Sequence, residues 1–515
     1  MPGHTIIPPR RLGRWMLIAG LLGGVAAAAD LPPASPPAPE LATPALPPLP
    51  PGAETLVPGQ VIRPIDLTSA LRLAGARDLD VAMARERVCE AVAELEQARV
   101  LWLPSLFIGP NWIRHDGQAQ VIEGPVRTIS KSSLFLGATA AGGSSVSGPV
   151  PAGGPAPISG LTTVLRISDA IFEPLAARQL VTGRQAGIRT ATNDALLGVA
   201  EAYLDLQHAA GRLAIAREAA ANADALATLS EAYARTGAGL EADHQRSLTE
   251  REKRRRELED ALGDLEVASA EVIRRTRIDP RVVVAPLEPP ETVFRFVPPG
   301  RTVDDLIVAG LRGRPELAEA QAMVDATLVR LRQARLRPLI PSVAFRYSGG
   351  GFGGGANGFF GDFDARSDAD VNLYWELQNL GLADRAIARQ RGAQRRIALL
   401  EQLKLQDRVA AEVVAAEKAR LAADRQLAIA ARAVPTAVRS LELNFTNIRR
   451  AAGLPGATRP IEVLQPIQAL AQARAEYLDA AVLHNRAEFR LLHAVGYPVG
   501  APAAKAPAPA SRPRG

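Results

Sequence analysis

From residue 175 to residue 235 the sequence contains no proline, and its apolar residues keep a helical spacing. Val199, Tyr203, Leu206, Ala210 and Leu213 follow one another at intervals of 4, 3, 4 and 3, the stripe of a helix packed lengthwise on a neighbour. At 1.5 Å per residue the stretch from Glu173 to Arg235 makes roughly 90 Å of helix, far more than a globular core requires. The break "RTGAGLEAD" (235–243) precedes a return helix expected over 244–275, so the segment folds back on itself. Aromatic residues are only 4% of the chain while alanine is frequent, which favours close helix packing over a thick aromatic core.

The same order of events occurs twice. "QARVLWLPSLFIG" (97–109) and "QARLRPLIPSVAF" (333–345) each pass from helical spacing to strand alternation, with Pro104 and Pro341 at the junctions. The copies are 236 residues apart at Gln-Ala-Arg and 237 apart at Pro-Ser. Each junction follows a short helical stretch and precedes a strand, a glycine-rich segment, a second strand and a long helix that turns back. The second long helix is expected over 384–450 with a kink at Pro435, followed by the break "AAGLPGATRP" (451–460) and a return over 461–495. This is an internal duplication, with repeats at 61–297 and 298–498.

Four strands are expected, at 104–114, 160–171, 341–349 and 367–379. Val371, Leu373, Trp375 and Leu377 alternate with Asn372, Tyr374 and Glu376, which gives each strand one apolar and one polar face. Two coverings of the apolar face stay open on pattern alone, a second layer of soluble protein or lipid. Four isolated strands between such long helices offer no second layer. No apolar run after the N-terminal segment reaches 18 residues, so a membrane would be met by strands. Four strands cannot close a barrel, and closure would need several copies in cyclic symmetry. "GGGFGG" (349–354) matches Gly-x-Gly-x-x-Gly, but no helix follows to hold a phosphate; it and residues 138–155 are expected to be flexible loops between strands.

The N-terminus "RRLGRWMLIAGLLGGVAAAAD" has the basic, apolar and small-residue layout of a secretory leader, expected to be cut near Ala29. Residues 30–60 are a proline-rich tether, and 499–515 form a similar Pro/Ala-rich tail expected to be disordered. Without the leader's three arginines the formal charge drops from +6 to +3, too little to imply nucleic acid. The single cysteine, Cys89, can form no intrachain disulfide and is expected to be a small buried residue of a helix.

No catalytic or cofactor constellation is present. His208, His244, His484 and His493 lack metal-ligand spacing, and no Gly-x-Ser-x-Gly, Walker loop or His-Glu-x-x-His occurs. The run "REKRRRELED" (251–260) places Glu252 with Arg256, Lys253 with Glu257 and Arg255 with Glu259 four apart, the pattern of a solvated helix face. The hairpin turns carry Asp243 in one repeat and Arg459 with Glu462 in the other. Around a symmetry axis such carboxylates would ring the end of a tunnel, where focused charge holds ions. An acid in a first helical turn is equally a helix cap.

Taken together, "ARVLWLPSL" and "ARLRPLIPSV", "VAEAYLDL" (199–206), "TGAGLEADHQ", and "TRPIEVLQ" (458–465) followed by "ARAEYLDAAVLHNRAEFRLLHAVGYP" resemble the TolC-like outer membrane efflux proteins, over residues 61–498. The resemblance implies an α+β membrane protein without cofactors: a homotrimer whose twelve strands form one outer-membrane β-barrel above a periplasmic α-helical tunnel. It implies a periplasmic adaptor and an inner-membrane pump as partners, in efflux or type I secretion of small molecules, metal ions or proteins. It also implies a gate at the periplasmic end. There Asp243 resembles the first-hairpin acid, Arg459 the arginine it pairs with, and Glu462 the first acid of a constriction ring. The second acid of that ring falls on Gln465, which departs from the pattern. A secreted coiled-coil spacer or adhesin is the alternative from another class.

Overall fold

The computed structural model describes residues 62–497 apart from 121–123, 143, 147–161, 238, 299 and 452–459. The leader, the tether, the tail and Arg459 lie outside the described residues. The first repeat runs β1 (Ile62–Ile65), α1 (Leu67–Arg77), α2 (Leu79–Arg99), β2 (Pro104–Gln120), β3 (Val126–Gly142), β4 (Ser144–Val146), β5 (Thr162–Arg166), α3 (Ile167–Arg235) and α4 (Glu241–Thr276). After β6 (Val283–Pro286), the second runs α5 (Val303–Gly313), α6 (Pro315–Leu336), β7 (Ser342–Gly355), β8 (Asp364–Tyr374), α7 (Leu382–Ala451) and α8 (Leu464–Val495).

The duplication extends to the lengths of the elements. α1 and α5 have 11 residues each, α2 and α6 have 21 and 22, and α3 and α7 have 69 and 70. A three-residue 3-10 turn, Val100–Trp102 or Arg337–Leu339, then precedes the strand that starts at Pro104 or just after Pro341. The extra residue of the second copy is Leu336, the last of α6. The local signals are ordinary ones. Asp66 accepts from Ser69 N, Asp78 accepts from Asp80 N and Val81 N, Thr302 and Asp305 form a capping box, and Pro315 opens α6.

The long helices start earlier than their spacing suggests, at Ile167 and Leu382, and α7 runs through Pro435 as one element. Near the sheet the helices pack in the order α2, α3, α6, α7; farther from it the order is α4, α3, α8, α7. The main core sits where α1, α3, α4 and β6 meet, and buries Leu67, Leu71, Val199, Tyr203, Leu206, Leu213, Leu265 and Val284. The 4-3-4-3 stripe is therefore core, with Ala210 packed at its margin.

The last part of the first repeat, residues 283–297, ties the two repeats together. β6 pairs in parallel with β1, Ile62 opposite Val283. Beyond it Glu288 accepts from Leu67 N at 3.0 Å, at the start of α1, and from the Tyr203 hydroxyl. α8 then grips residues 292–297. Asn485 accepts from Phe294 N at 2.8 Å and donates to Thr292 O at 2.7 Å, while Glu488 accepts from Phe296 N and Val297 N at 3.0 and 3.2 Å. His484, fully buried, has Nε2 3.0 Å from Phe294 O. Phe294 and Phe296 pack on Phe489.

Several expectations are corrected. Cys89 is exposed, because α2 buries Val81, Ala84, Ala91, Leu95 and Ala98 and Cys89 falls outside that stripe. In the basic run the expected pairs are not those formed. Arg254, itself buried, bonds the buried Glu250 at 2.7 Å and also Glu257, Arg255 reaches Asp224, and Arg256 bonds Asp260. One side of that run thus packs inward, and Gln468 of α8 donates to Glu250.

The sheet departs most. The strand antiparallel to β2 is β3, not residues 160–171, where among the described residues Thr162–Arg166 are strand and helix begins at Ile167. β3 lies along Arg346–Gly355 of β7 and β5 along Ser342–Val343, so one strand line is interrupted by an insertion. Residues 138–142, expected as loop, belong to β3, and 144–146 are β4 paired with β5. Gly349–Gly354 are likewise strand, within β7 between β3 and β8. Their glycines are there for space. A Cβ on Gly351 would lie 2.4 Å from the Phe363 ring, and one on Gly354 would lie 2.2 Å from Ser132 O.

Candidate functional site

The helical tips farthest from the sheet come together through apolar contacts. Leu226 of α3, Leu441 and Ile448 of α7, Val463 of the 3-10 turn Pro460–Val463, and Ile467 and Leu470 of α8 form one buried cluster. Tyr233 packs on it and donates its hydroxyl to Ile448 O at 3.2 Å, which ties the first hairpin to the second. Sequence reading passed over Tyr233, although Leu226, Leu229 and Tyr233 stand at helical spacing just before the turn. The turn itself closes on Gly237, at φ +75°, a conformation that glycine adopts without strain. Inside the hairpin the Ser230 and Ser247 hydroxyls are 2.6 Å apart.

The candidate residues sit around this junction in different settings. Asp243 lies in the first turn of α4 and is buried, with Arg246 Nη1 at 3.5 Å. Its side chain makes no cap bond; the N-cap residue is Leu240. A carboxylate there is favoured by the helix dipole. Glu462, in the 3-10 turn, and Gln465, in the first turn of α8, are both exposed. No ion pair among the described residues joins Asp243 to the second hairpin. Pro104 is the first residue of β2, and Pro341 immediately precedes β7. Among the described residues no group of His, Cys, Asp and Glu is placed to hold a metal ion.

At the other end the four long strands lie in the order β2, β3, β7, β8, and their registers place whole sets of side chains on one face. Leu106 stands opposite Ala140, Ile108 opposite Ala138, Pro110 opposite Leu136 and Trp112 opposite Leu134. Farther across the same face come Tyr347, Val371 and Leu373. This apolar face is bare: Ile108 is 77% exposed and Val371 68%. The opposite face carries Arg346 bonded to Asp370, Arg366 bonded to Asp368, and the Arg366 guanidinium 4.6 Å above the Phe352 ring. Among the described residues no helix is long and apolar enough to cross a membrane.

No family model matches this sequence, and no curated protein does. Solved structures do. The outer-membrane channel OprN aligns with a TM-score of 0.67 at 16% identity, over 84% of this chain and 91% of that one. The open-state MtrE outer membrane channel of Neisseria gonorrhoeae gives 0.65 at 16% identity, over 84% and 89%. CusC, whose structures concern transmembrane channel formation, gives 0.63 at 18% identity, over 84% and 93%. The chain has the TolC-like channel fold. In this TolC-like chain the two-faced sheet and the paired tips stand at opposite ends of α3 and α7.

Proposed function

We propose that the protein is the outer-membrane channel of an export system, a passive duct through which another protein drives the cargo. The observation that carries this reading is the bare apolar face of the open sheet, with bonded charges on the face behind it. Lipid would cover the first face and water the second. Long unpaired edges at β2 and β8 demand further copies, and three chains with four long strands each would close a twelve-stranded barrel. The channel fold of the structural neighbours supports the same reading. Export would use residues 1–29 as leader, 30–60 as tether and 499–515 as a free tail, with repeats 61–297 and 298–498 building barrel and tunnel. A periplasmic adaptor and an inner-membrane pump would supply specificity and energy, and the chain itself would perform no catalysis. Asp243, Arg459, Glu462 and Gln465 at the tips would form the periplasmic constriction.

The test is reconstitution of the full chain. Heat-modifiable oligomers in outer-membrane fractions and defined conductance steps in planar bilayers are expected. Release into the medium as a soluble rod without conductance would instead indicate a coiled-coil spacer.

A further inference from the structure

The apolar face of the sheet has two boundaries. On β2 its apolar residues run from Leu106 to Trp112, and Arg114 and Asp116, ion-paired at 2.5 Å, follow on the same face. Six residues of strand cover roughly 20 Å, or about 15 Å of height once tilted by about 40°, short of the ~25 Å band that a membrane barrel presents. The remainder has to come from the junction with the helices. There Trp375 and Leu377 continue the alternation of Val371 and Leu373 and are exposed. Trp375 Nε1 donates to Leu339 O at 3.3 Å, which sets the turn Arg337–Leu339 on the same side. Leu339 is 71% exposed, and its duplicate Trp102 is 50%. Leu380, a few residues on, is 93% exposed in left-handed backbone at φ +56°, a conformation leucine rarely adopts.

Beside these residues the charge has one sign. Residues 326–345 contain four arginines and no acid, and residues 97–113 one arginine and no acid. Arg337 lies 3.6 Å from Glu376. Arg332, Arg335 and Arg99, the duplicate of Arg335, are exposed and form no ion pair among the described residues. Arg335 and Arg332 stand four and seven residues before Leu339 on one exposed stripe with Leu336, roughly 6 and 10 Å farther from the sheet. The headgroup layer of a leaflet is about 5–8 Å deep, and an arginine extends its charged end beyond its own turn. α6 lies between α3 and α7, so Arg332 and Arg335 are away from the open edges that a second copy would cover.

We propose that Arg99, Arg332 and Arg335 bind the phosphates of anionic phospholipid in the leaflet nearest the helices, while Trp102, Leu339, Trp375 and Leu377 enter its acyl region. The junction then fixes how deep the channel sits. The inference rests on the outer-membrane channel reading and adds its lipid ligand. A guanidinium suits this task, because its planar fork pairs with two phosphate oxygens at once. The tryptophans suit the same level, with an apolar ring for the lipid and an N–H for the polar side. Burial of Leu380 in lipid would offset the strain of its backbone.

Apart from Trp15 in the leader, the tryptophans are Trp102, Trp112 and Trp375, so Trp112→Phe leaves fluorescence from the junction alone. In vesicles of phosphatidylethanolamine and phosphatidylglycerol, lipid brominated near the head of the acyl chain should quench this variant about twofold more than lipid brominated near its end. Native mass spectrometry of the full-chain oligomer titrated with phosphatidylglycerol should show affinity falling about fivefold for each of Arg99→Gln, Arg332→Gln and Arg335→Gln. Arg432→Gln, at an exposed arginine far along α7, should leave it unchanged. Excess inorganic phosphate should leave the lipid bound; displacement by phosphate would mark a free-anion site and overturn the lipid assignment. An oligomer that conducts, but shows no shallow quenching and no loss of lipid affinity in the three variants, would overturn the inference and leave the channel reading intact. A soluble rod that no brominated lipid quenches would overturn both.

Discussion

The Tyr203 hydroxyl, fully buried in α3, donates to Glu288 near the end of the first repeat and lies 3.2 Å from Ile65 O at the end of β1. One side chain of the longest helix of the first repeat thereby links the end of β1 to the chain just beyond β6. Tyr203→Phe keeps the ring and removes the donor, leaving Glu288 partly unsatisfied. A loss of about 1–3 kcal/mol is expected, read as a lower midpoint in thermal or denaturant unfolding. Burial, reinforced by Glu288, pushes the Tyr203 hydroxyl pKa well above its usual value. The folded state keeps this proton where the unfolded state loses it, so the contribution is complete below about pH 10 and is lost as pH rises further. The alkaline fall of the unfolding midpoint should be shallower in Tyr203→Phe; identical alkaline slopes would refute the assignment.

Gly137 and Gly350 face each other across β3 and β7 with no room for a methyl group. A Cβ on Gly137 would lie 2.3 Å from Gly349 O, and one on Gly350 would lie 2.3 Å from Leu136 O. Both obstacles are backbone and cannot rotate away. Gly350→Ala should cost about 1–3 kcal/mol and reduce the heat-modifiable form, whereas Gly109→Ala, which meets nothing within 4 Å, should not. Equal behaviour of the two variants would count against this close approach.

Glu488 holds residues 296–297 through two backbone donors and lies 3.6 Å from Arg420. Glu488→Gln retains one acceptor and Glu488→Ala none. The expected order of stability is wild type, then Gln, then Ala, with the Ala variant down by about 1–3 kcal/mol. Limited proteolysis should cut within 291–297 faster in the same order. A protected segment in Glu488→Ala would show that the aromatic packing of Phe294 and Phe296 suffices.

Glu462→Ala combined with Arg459→Ala should raise single-channel conductance in planar bilayers and weaken block by multivalent cations, because charge concentrated at a narrow ring attracts and retains cations. Asp243→Asn, at a buried position in the first turn of α4, should act chiefly on stability, by about 0.3–1 kcal/mol through the helix dipole. Unchanged conductance and block in the double variant would remove Glu462 and Arg459 from the gate.

Helix length, the duplicated order, the caps and the helix-to-strand junctions were determined by the sequence itself, because each depends on neighbours a few residues away. Asp78 divides α1 from α2, its side chain accepting from Asp80 N and Val81 N, and the one-residue difference between the copies is simply a longer α6 ending in Leu336. The alternation in residues 371–377 also revealed the two faces of the sheet. Which segments pair was decided only by tertiary structure. Residues 349–354 look like a loop in isolation, since glycine has no strand preference of its own, yet β3, Phe363 and the chain before β8 leave no room for a Cβ at Gly350, Gly351, Gly353 or Gly354. Residues 160–171 alternate well, but the long partner of β2 is the serine- and alanine-rich β3. Cys89 and Arg254 exchanged their expected environments for the same reason. Periodicity identifies a face of a helix, but the neighbouring helix decides whether that face is covered.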